Sequence, residues 1–270
     1  MIVELYRDRQ PNQETFCRID PLHVKALAFD MQGTLLDFYS TLIRSGNELM
    51  CGKGLNVDWT KIPDRWRQAY RLHLDEMIAG QRPWSSTDAI YRMALDSILH
   101  DCAWGSALTI DDRDQLSRAW SCLDPWPDTR PGLQRLRGKF KVATLSNGSM
   151  ASVVNIVQKH DLPFHCVLTS ELVRSSKPDQ KVYGLAQVAL GLRAEEIVMV
   201  ACHKYDLLAA KRFGFKVAFI PRPLELGPRG SPDAGREDYF DAMAPSLLVL
   251  AELLSPEHAE DRERSDPGTP

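Results

Sequence analysis

The sequence predicts an α/β fold in which a doubly wound parallel sheet carries an inserted helical cap domain. Short apolar runs recur along the chain, helical patterns separate most of them, and one long stretch near the N-terminus contains helical patterns alone. Strands that alternate with helices build βαβ units, and right-handed crossovers then favour a parallel sheet with helices on both faces. The all-helical stretch does not fit that alternation, so we interpret it as an insertion over the sheet.

The first predicted strand follows a polar N-terminal extension, residues 1–22. Val24 to Phe29 form a short apolar run that stops at Asp30 and at the turn-forming pair Gly33-Thr34. A run of this kind, bounded by turn residues, is typical of a buried parallel strand.

The helical insertion is predicted over residues 38–124. Its clearest amphipathic segments are residues 64–80 and 85–104, and Ser85 or Ser86 suits the N-cap of the second segment. The α/β core domain then comprises residues 23–37 and 125–254. The last residues, 255–270, contain almost no apolar side chains and are expected to form a disordered tail.

The core resumes its alternation after the insertion. Further strands are predicted at residues 140–145, 165–169, 196–201 and 216–220. Helices are predicted at residues 131–138, 149–160, 205–213 and 247–254, and Lys177-Pro178 opens one more.

Composition limits the function classes to which the chain can belong. With 270 residues, 44% of them hydrophobic and 26% charged, the chain can bury a sizeable core, which excludes a collagen, a coiled-coil rod and wholesale disorder. The 33 Lys and Arg residues nearly balance the 36 Asp and Glu residues, for a formal charge of −3. This balance offers no net attraction to nucleic acid or to an anionic membrane, so we expect neither as a partner.

The cysteines and the N-terminus both favour a cytoplasmic protein. The first residues, MIVELYRDRQ, lack the apolar run of a signal peptide, and no stretch approaches the roughly 18 apolar residues of a membrane helix. Six cysteines are scattered without a CxxC pair, namely Cys17, Cys51, Cys102, Cys122, Cys166 and Cys202. This usage is typical of a reducing compartment.

Polar residues follow the predicted strands at the points where the strands end. They are Asp30, Ser146, Asn147, His203 and Asp206, and Lys177 is expected on the same side of the sheet. The carboxyl ends of parallel strands converge on one crevice, where such folds bind their ligands. Any one of these residues alone suits a helix cap, but together they predict a functional site.

Four segments carry a resemblance to a known family. FDMQGTLLDF, TLSNGS, SSKPDQKVY and VACHKYDLLAAKRFGF occur in this order along the chain. They resemble the haloacid dehalogenase superfamily, and specifically its type II 2-haloacid dehalogenases, from about residue 24 to residue 252. The resemblance implies a Rossmann-like core with a helical cap, a hydrolase that needs no cofactor, a small carboxylic acid as substrate, and a homodimer.

The resemblance also implies which residues carry the chemistry. Asp30 matches the family nucleophile, whose attack forms an ester that water later cleaves. Thr34 matches the hydroxyl that orients the nucleophile, and Lys177 matches the lysine whose charge keeps it ionised. Asp206 matches the residue that acts with the hydrolytic water, and Tyr183 matches a phenol packed against it, which we expect to contact the substrate.

A second set of positions matches the substrate-binding groups of the family. Arg67 matches the arginine that receives the halide, and Asn147 matches the amide beside it. Ser146 and the main-chain N–H groups of Met31 and Gln32 match the groups that hold the substrate carboxylate.

Gln32 and His203 depart from the family pattern. Gln32 stands where superfamily phosphatases carry a second Asp as general acid and where type II dehalogenases carry a bulky apolar residue, and an amide cannot act as that acid. Ala201 and His203 replace a Ser and an Asn that assist the hydrolytic water, and His203 suits either a base or a helix cap. Trp84 is a further candidate, as an aromatic wall of the pocket or as simple packing.

The residues that follow the strand at 196–201 favour a metal-free reaction. Cys202, His203 and a single Asp206 supply few of the oxygen ligands that Mg²⁺ requires, so we expect neither metal nor cofactor. Asp30 and Asp206 alone could still form a weak magnesium site.

The sequence therefore predicts a metal-independent hydrolase that displaces a C2 substituent, a halide, from a small 2-substituted carboxylic acid through an aspartyl ester. The main alternative is C–N ring opening as in the similar L-azetidine-2-carboxylate hydrolase, because Gln32 is polar and lies beside the nucleophile. A Mg²⁺-dependent phosphatase and an inactive binding protein fit the sequence less well. Gln32 speaks against the phosphatase, and the matched set of site residues speaks against the inactive protein.

Overall fold

The computed structural model describes residues 14–255, and its centre is a six-stranded sheet. The strands are β1 (Phe16–Cys17), β2 (Ala26–Phe29), β3 (Leu36–Asp37), β4 (Asp124–Pro125), β5 (Lys141–Thr144), β6 (Ile197–Ala201), β7 (Lys216–Phe219) and β8 (Ala242–Met243). The six-stranded sheet has the order β1-β8-β7-β6-β2-β5, and β3 pairs separately with β4. Every pairing in the large sheet is parallel except that of β1 with β8, so the predicted parallel fold is confirmed.

Helices cover both faces of this sheet. They are α1 (Phe38–Gly52), α2 (Ile62–Ile78), α3 (Thr87–His100), α4 (Ile110–Arg118), α5 (Thr129–Arg137), α6 (Met150–Lys159), α7 (Gln180–Leu190), α8 (Lys204–Phe213) and α9 (Leu247–Leu253). Side chains of β2 alternate between two cores, with Leu27 and Phe29 in one and Ala26 and Ala28 in the other. Burial on both faces explains why the strands read as continuous apolar runs.

Helices α1 to α4 form one continuous stretch between β3 and β4. Leu36 pairs with Pro125 and Asp37 with Asp124, so the chain leaves and re-enters the core at one short antiparallel ladder. Inside the insertion, the Trp66 indole N–H of α2 donates to the main-chain oxygen of Tyr91 in α3 over 2.8 Å. As predicted, Ser86 caps α3, because its hydroxyl accepts from the N–H of Ala89.

Two details of the core differ from the expectation. Strand β1 lies inside the predicted N-terminal extension, where two half-buried residues pair with β8. Residues 165–169 form isolated bridges at Cys166 and Thr169 instead of a continuous strand. Of the predicted disordered tail, residues 256–270 lie outside the described part of the chain.

Within residues 14–255, no helix is both long enough and apolar enough to cross a membrane.

A buried ion pair ties the loop after β7 to the helical layer. Arg222 donates to Asp128 over 2.8 Å, and the other Asp128 oxygen accepts the main-chain N–H of Leu247 at 2.8 Å. Arg222 is 3% exposed and Asp128 is fully buried. Removing one partner of such a pair leaves a charge in a site without water.

We expect Asp128→Ala to lower the free energy of unfolding by about 3 to 5 kcal/mol, because it leaves the Arg222 cation buried without its carboxylate partner. The matched control is Glu252→Ala, which removes the carboxylate of an exposed pair with Arg135 and should cost under about 1 kcal/mol. Urea unfolding midpoints measure both changes. Equal unfolding midpoints for the two variants would contradict the stabilising role of the pair between Arg222 and Asp128.

Candidate active site

A cleft opens where the carboxyl ends of β2, β5 and β6 face helix α2. Its volume is about 310 Å³, counting the open solvent at its mouth. The lining residues are Asp30, Gln32, Arg67, Tyr70, Arg71, Leu74, Ser146, Asn147, His203 and Tyr205. Six of these were predicted from the sequence, and the strand-end residues among them converge as expected.

Strand register brings the core residues of the cleft together. Phe29, the last residue of β2, lies opposite Thr144 of β5 and Val200 of β6. The chain therefore leaves all three strands at the same level, and the residues that follow face one another.

The side of the cleft that faces the strand ends is one face of α2. Arg67, Tyr70, Arg71 and Leu74 are spaced three or four residues apart, which places them along one side of a helix. Tyr70 stacks on Tyr91 of α3, with ring centroids 4.1 Å apart.

The first turn of α3 is fastened to the core. The Asp88 carboxylate accepts hydrogen bonds from the hydroxyls of Ser149 at 2.6 Å and Ser152 at 2.9 Å. Thr87 donates its hydroxyl to the main-chain oxygen of Asn147. These contacts hold the start of α3 against the chain that follows β5.

Asp30 lines the cleft, and both of its carboxylate oxygens accept hydrogen bonds. Its Oδ2 accepts from the Thr34 hydroxyl at 2.7 Å and from His203 Nδ1 at 3.1 Å, and its Oδ1 accepts from Lys177 Nζ at 3.1 Å. Burial alone would raise the pKa of Asp30, but the charge of Lys177 and the hydrogen bonds from His203 and Thr34 hold it well below its usual range. The carboxylate is therefore ionised and faces the cleft.

Lys177 lies between two carboxylates. Its ammonium donates to Asp206 Oδ2 at 2.6 Å as well as to Asp30. Burial would lower the pKa of Lys177, but the charges of Asp206 and Asp30 raise it above its ordinary value. The residue precedes α7 by three positions and does not open the helix itself, contrary to the sequence prediction.

Tyr183 and Asp206 support this lysine from below the cleft. Tyr183 is fully buried and donates its hydroxyl to Asp206 Oδ1 over 2.7 Å. Neither residue lines the cleft, so the expectation that Tyr183 touches substrate gives way to a role in fixing Asp206. Burial raises the pKa of Asp206, and hydrogen bonds engage both of its oxygens.

His203 joins Asp30 to a carboxylate that the sequence did not predict. His203 Nε2 lies 2.7 Å from Oε1 of Glu225, which is 4% exposed and belongs to the loop after β7. Burial alone would lower the pKa of His203, but its interactions with Cys202 and Glu225 and its hydrogen bond to Asp30 raise it well above its ordinary value. Burial would raise the pKa of Glu225, whereas the charge of His203 lowers it.

Gly33 makes room for this carboxylate. Its φ of +84° favours glycine, and a Cβ at this position would overlap the Glu225 carboxylate. Arg222, which belongs to the same loop as Glu225, donates from its Nε to the main-chain oxygen of Thr34 at 2.8 Å. The loop that carries the nucleophile and the loop that carries Glu225 are thus packed as one unit.

Arg67 and Gln32 are linked by a tyrosine that the sequence analysis did not single out. Arg67 Nη1 donates to the Tyr91 hydroxyl at 3.1 Å, and that hydroxyl donates to Oε1 of Gln32 at 2.8 Å. The amide NH₂ of Gln32 is the end left for a ligand, and Arg67 faces the same cleft.

Other donors surround Asp30. Oδ1 of Asn147 accepts the main-chain N–H of Lys177 at 2.8 Å, which leaves the side-chain NH₂ group to face the cleft. The Ser146 hydroxyl accepts from Gly148 N–H at 2.9 Å and retains its own proton for donation. Across residues 14–255, no acceptor takes a hydrogen bond from the main-chain N–H of Met31 or Gln32.

Trp84 does not form a wall of the cleft, contrary to the expectation. The residue precedes α3 and is half-buried. The guanidinium of Arg174 lies over its ring, 5.0 Å from the ring centroid. The aromatic residues that line the cleft are instead Tyr70 and Tyr205.

Several residues of the site could not be predicted firmly, because the sequence around each of them indicates a binding role only weakly. Tyr70 and Tyr91 lie on buried helix faces, where an aromatic residue predicts packing as readily as binding. Tyr205 lies within the VACHKYD segment that was singled out, so its position could have been noted. Glu225 follows a Pro-rich turn, and only the tertiary fold brings it to His203.

The carboxylates of the site are satisfied by the chain itself. Each oxygen of Asp30 and of Asp206 accepts a hydrogen bond from a lysine, a histidine or a hydroxyl. Cys202, His203 and Glu225 also lie within 4.8 Å of one another, but they hydrogen-bond among themselves. Burial raises the pKa of Cys202 to about 11, so its thiol stays protonated near neutral pH.

The fold and this site define a hydrolase with an aspartate at the tip of a parallel strand. The chain belongs to the haloacid dehalogenase-like hydrolase family, whose model matches residues 24–214. An (S)-2-haloacid dehalogenase of Pseudomonas sp. (strain YL) is 30% identical over 205 residues, which cover 74% of this chain and 84% of the relative.

Solved structures give the same result. An L-2-haloacid dehalogenase superposes with a TM-score of 0.81 at 36% identity, covering 86% of this chain and 100% of the other. A defluorinating L-2-haloacid dehalogenase superposes with a TM-score of 0.82 at 31% identity, covering 86% of this chain and 95% of the other.

We expect Lys177→Met to raise the pKa of Asp30 by about 1 to 3 pH units, because the substitution removes the nearest positive charge and keeps the side-chain length. In the unaltered protein Asp30 should still be ionised at pH 3.8, which is the ordinary pKa of an aspartate. In the variant it should take up its proton at a higher pH than in the unaltered protein. A carboxyl ¹³C NMR titration measures both. Lys139→Met, at an exposed lysine that donates to Ser255, is the control, and an unchanged Asp30 titration in Lys177→Met would contradict the pairing.

Proposed function

We propose that this hydrolase displaces a halide from C2 of a small 2-halocarboxylic acid, without a metal ion, through an ester on Asp30. The observation that carries the proposal is an ionised Asp30 facing a cleft whose opposite side presents Arg67. The names of the matched relatives, which are 2-haloacid dehalogenases, support the same reaction.

In the first step an Asp30 oxygen attacks C2 and the carbon–halogen bond breaks, so the halide leaves with the bonding electrons. The ester is the intermediate. Lys177 assists by keeping Asp30 ionised, and a halide needs no proton in order to leave. Gln32, which supplies no acid, fits this requirement and not that of a phosphate monoester.

Arg67 and Asn147 are the proposed receivers of the halide. The guanidinium remains charged at all working pH values, and its planar set of donors suits an anion that develops as the bond breaks. The Asn147 amide adds a donor from the core side of the cleft. We assign the substrate carboxylate to the Ser146 hydroxyl and to the two N–H groups of Met31 and Gln32.

The second step cleaves the ester with water. Asp206 is fully buried and has both oxygens engaged, so its proposed contribution is to hold Lys177 in place. His203 lines the cleft and touches Asp30, which makes it the better placed proton acceptor for the attacking water.

A second candidate is hydrolytic opening of a strained C–N ring in a 2-carboxylate such as azetidine-2-carboxylate. The position of Gln32 favours it, because Tyr91 holds the amide oxygen and leaves the NH₂ end beside the nucleophile. The attack by Asp30 is the same, and only the leaving group differs.

We also propose that residues 38–124 act as the cap domain over this site and that the protein works as a cytoplasmic homodimer. Sedimentation of the purified full-length chain tests the oligomeric state.

We expect the protein to release chloride from 2-chloropropionate and Asp30→Asn to abolish that release, because an amide cannot form the ester. Asp161→Asn, which alters an exposed aspartate paired with Arg130, should leave the rate unchanged. Azetidine-2-carboxylate and fluoroacetate are assayed in parallel to define the leaving group. Chloride release that survives Asp30→Asn, or EDTA-sensitive hydrolysis of an aryl phosphate instead, would overturn the proposal.

We expect Arg67→Met to lower kcat by about 10²- to 10³-fold, the typical loss when one donor to a developing anion is removed. Arg65→Met is the matched control, because Arg65 lies two residues away on α2 and does not line the cleft. Initial rates of chloride release measure both variants. Equal rates for the two would place the halide elsewhere.

A further inference from the structure

Glu225 contacts the far side of the His203 ring and does not itself line the cleft. It is a buried carboxylate set against the loop of the nucleophile, and Gly33 leaves the space that it fills. Burying a carboxylate is costly unless a cation or several hydrogen bonds compensate, so its partner must supply one of these.

Both nitrogens of the His203 ring face carboxylates. Nδ1 lies 3.1 Å from Asp30 Oδ2 and Nε2 lies 2.7 Å from Glu225 Oε1. An ionised carboxylate only accepts hydrogen bonds, so both nitrogens must donate. A ring that donates from both nitrogens is an imidazolium, and in that form it cannot take a proton from water.

We propose that Glu225 is a positioning residue that holds His203 as a cation against Asp30 in the free enzyme, and that His203 becomes a base only after Asp30 has been esterified. This inference rests on the proposed function of the site. It assigns a role to a residue that contacts the histidine and not the substrate.

A change in the charges around His203 explains how the ring turns from a cation into a base. The groups that face it or its direct partners are Asp30, Glu225, Cys202, Tyr205, Lys177 and Asp206, with Arg67 and Arg71 across the cleft. Esterification removes the charge of Asp30, the carboxylate that faces Nδ1 of the ring. Lys177 and Asp206 stay paired, so of the two carboxylates that face the ring only Glu225 keeps its charge, and the proton of His203 is held less tightly.

The proton then balances the reaction. Esterification forms a bond between an Asp30 oxygen and C2, breaks the carbon–halogen bond and frees a halide ion. The His203 cation then loses its proton to solvent. Water next attacks the ester carbonyl while neutral His203 accepts a proton from it, which restores the Asp30 carboxylate and the cation and frees the 2-hydroxy acid. The sum is substrate plus water giving hydroxy acid, halide and one proton.

Glu225→Gln separates the two steps, because the amide oxygen still accepts from Nε2 but carries no charge. We expect rapid mixing with 2-chloropropionate to give a burst of about one chloride per active site, followed by a steady rate at least about 10-fold below that of the unaltered protein. The acid limb of kcat should move to lower pH, because His203 loses the neighbour that raises its basicity. A purely structural role for Glu225 would not move this limb.

The matched control is Glu252→Gln, which makes the same change at an exposed pair on α9 and should alter neither burst nor rate. A burst that falls together with the steady rate, or a pH profile unchanged in Glu225→Gln, would overturn the inference. If the unaltered protein releases no chloride, the proposed function fails instead.

A measurement on the unaltered protein tests the charge of His203 without any turnover. In the ¹⁵N NMR spectrum of histidine-labelled free enzyme, assigned with His203→Gln, we expect both ring nitrogens of His203 to be protonated near neutral pH. A neutral ring in the free enzyme would contradict the proposal even if the protein proves to be a dehalogenase.

Discussion

The site depends on keeping one buried carboxylate ionised. Asp30 is removed from bulk water, and burial by itself favours its neutral form. The ammonium of Lys177, shared with Asp206, offsets that cost from one side, and Thr34 and His203 do so from the other. Because Lys177 shares its single charge between two carboxylates, the hydrogen bonds from Thr34 and His203 are needed to complete the compensation of Asp30.

The fold supplies this arrangement by bringing distant chain segments to one level. Strands β2, β5 and β6 end together, so Asp30, Ser146 and His203 meet although they lie far apart in the sequence. Helix α2 closes the cleft with residues from a single helical face, and Asp88 fastens the neighbouring helix to the core. Rigid elements therefore hold the groups of the cleft at hydrogen-bonding distances, and the loop with Glu225 packs behind them.

Much of this could be predicted from the sequence, because it depends on local pattern. The strand before Asp30 is an uninterrupted apolar run, and amphipathic spacing predicts the helix of Arg67, whereas the role of Arg67 comes from the family resemblance. Other features depend on tertiary contact. Glu225 reaches His203 through an irregular loop, and Tyr91 looks like any buried aromatic residue until its hydroxyl is seen between Arg67 and Gln32. Trp84 failed as a prediction because the chain before α3 directs it to Arg174.

The short strand β1 has a consequence for association between molecules. Its two residues cover the outer side of β8, and the bridges at Cys166 and Thr169 border β5 at the far side. Among residues 14–255, neither margin of the sheet presents a long row of unpaired main-chain groups, the usual template for adding strands from another chain. The two margins therefore offer little room for strand addition, and the sheet keeps the strand order that places Asp30 beside the ends of β5 and β6.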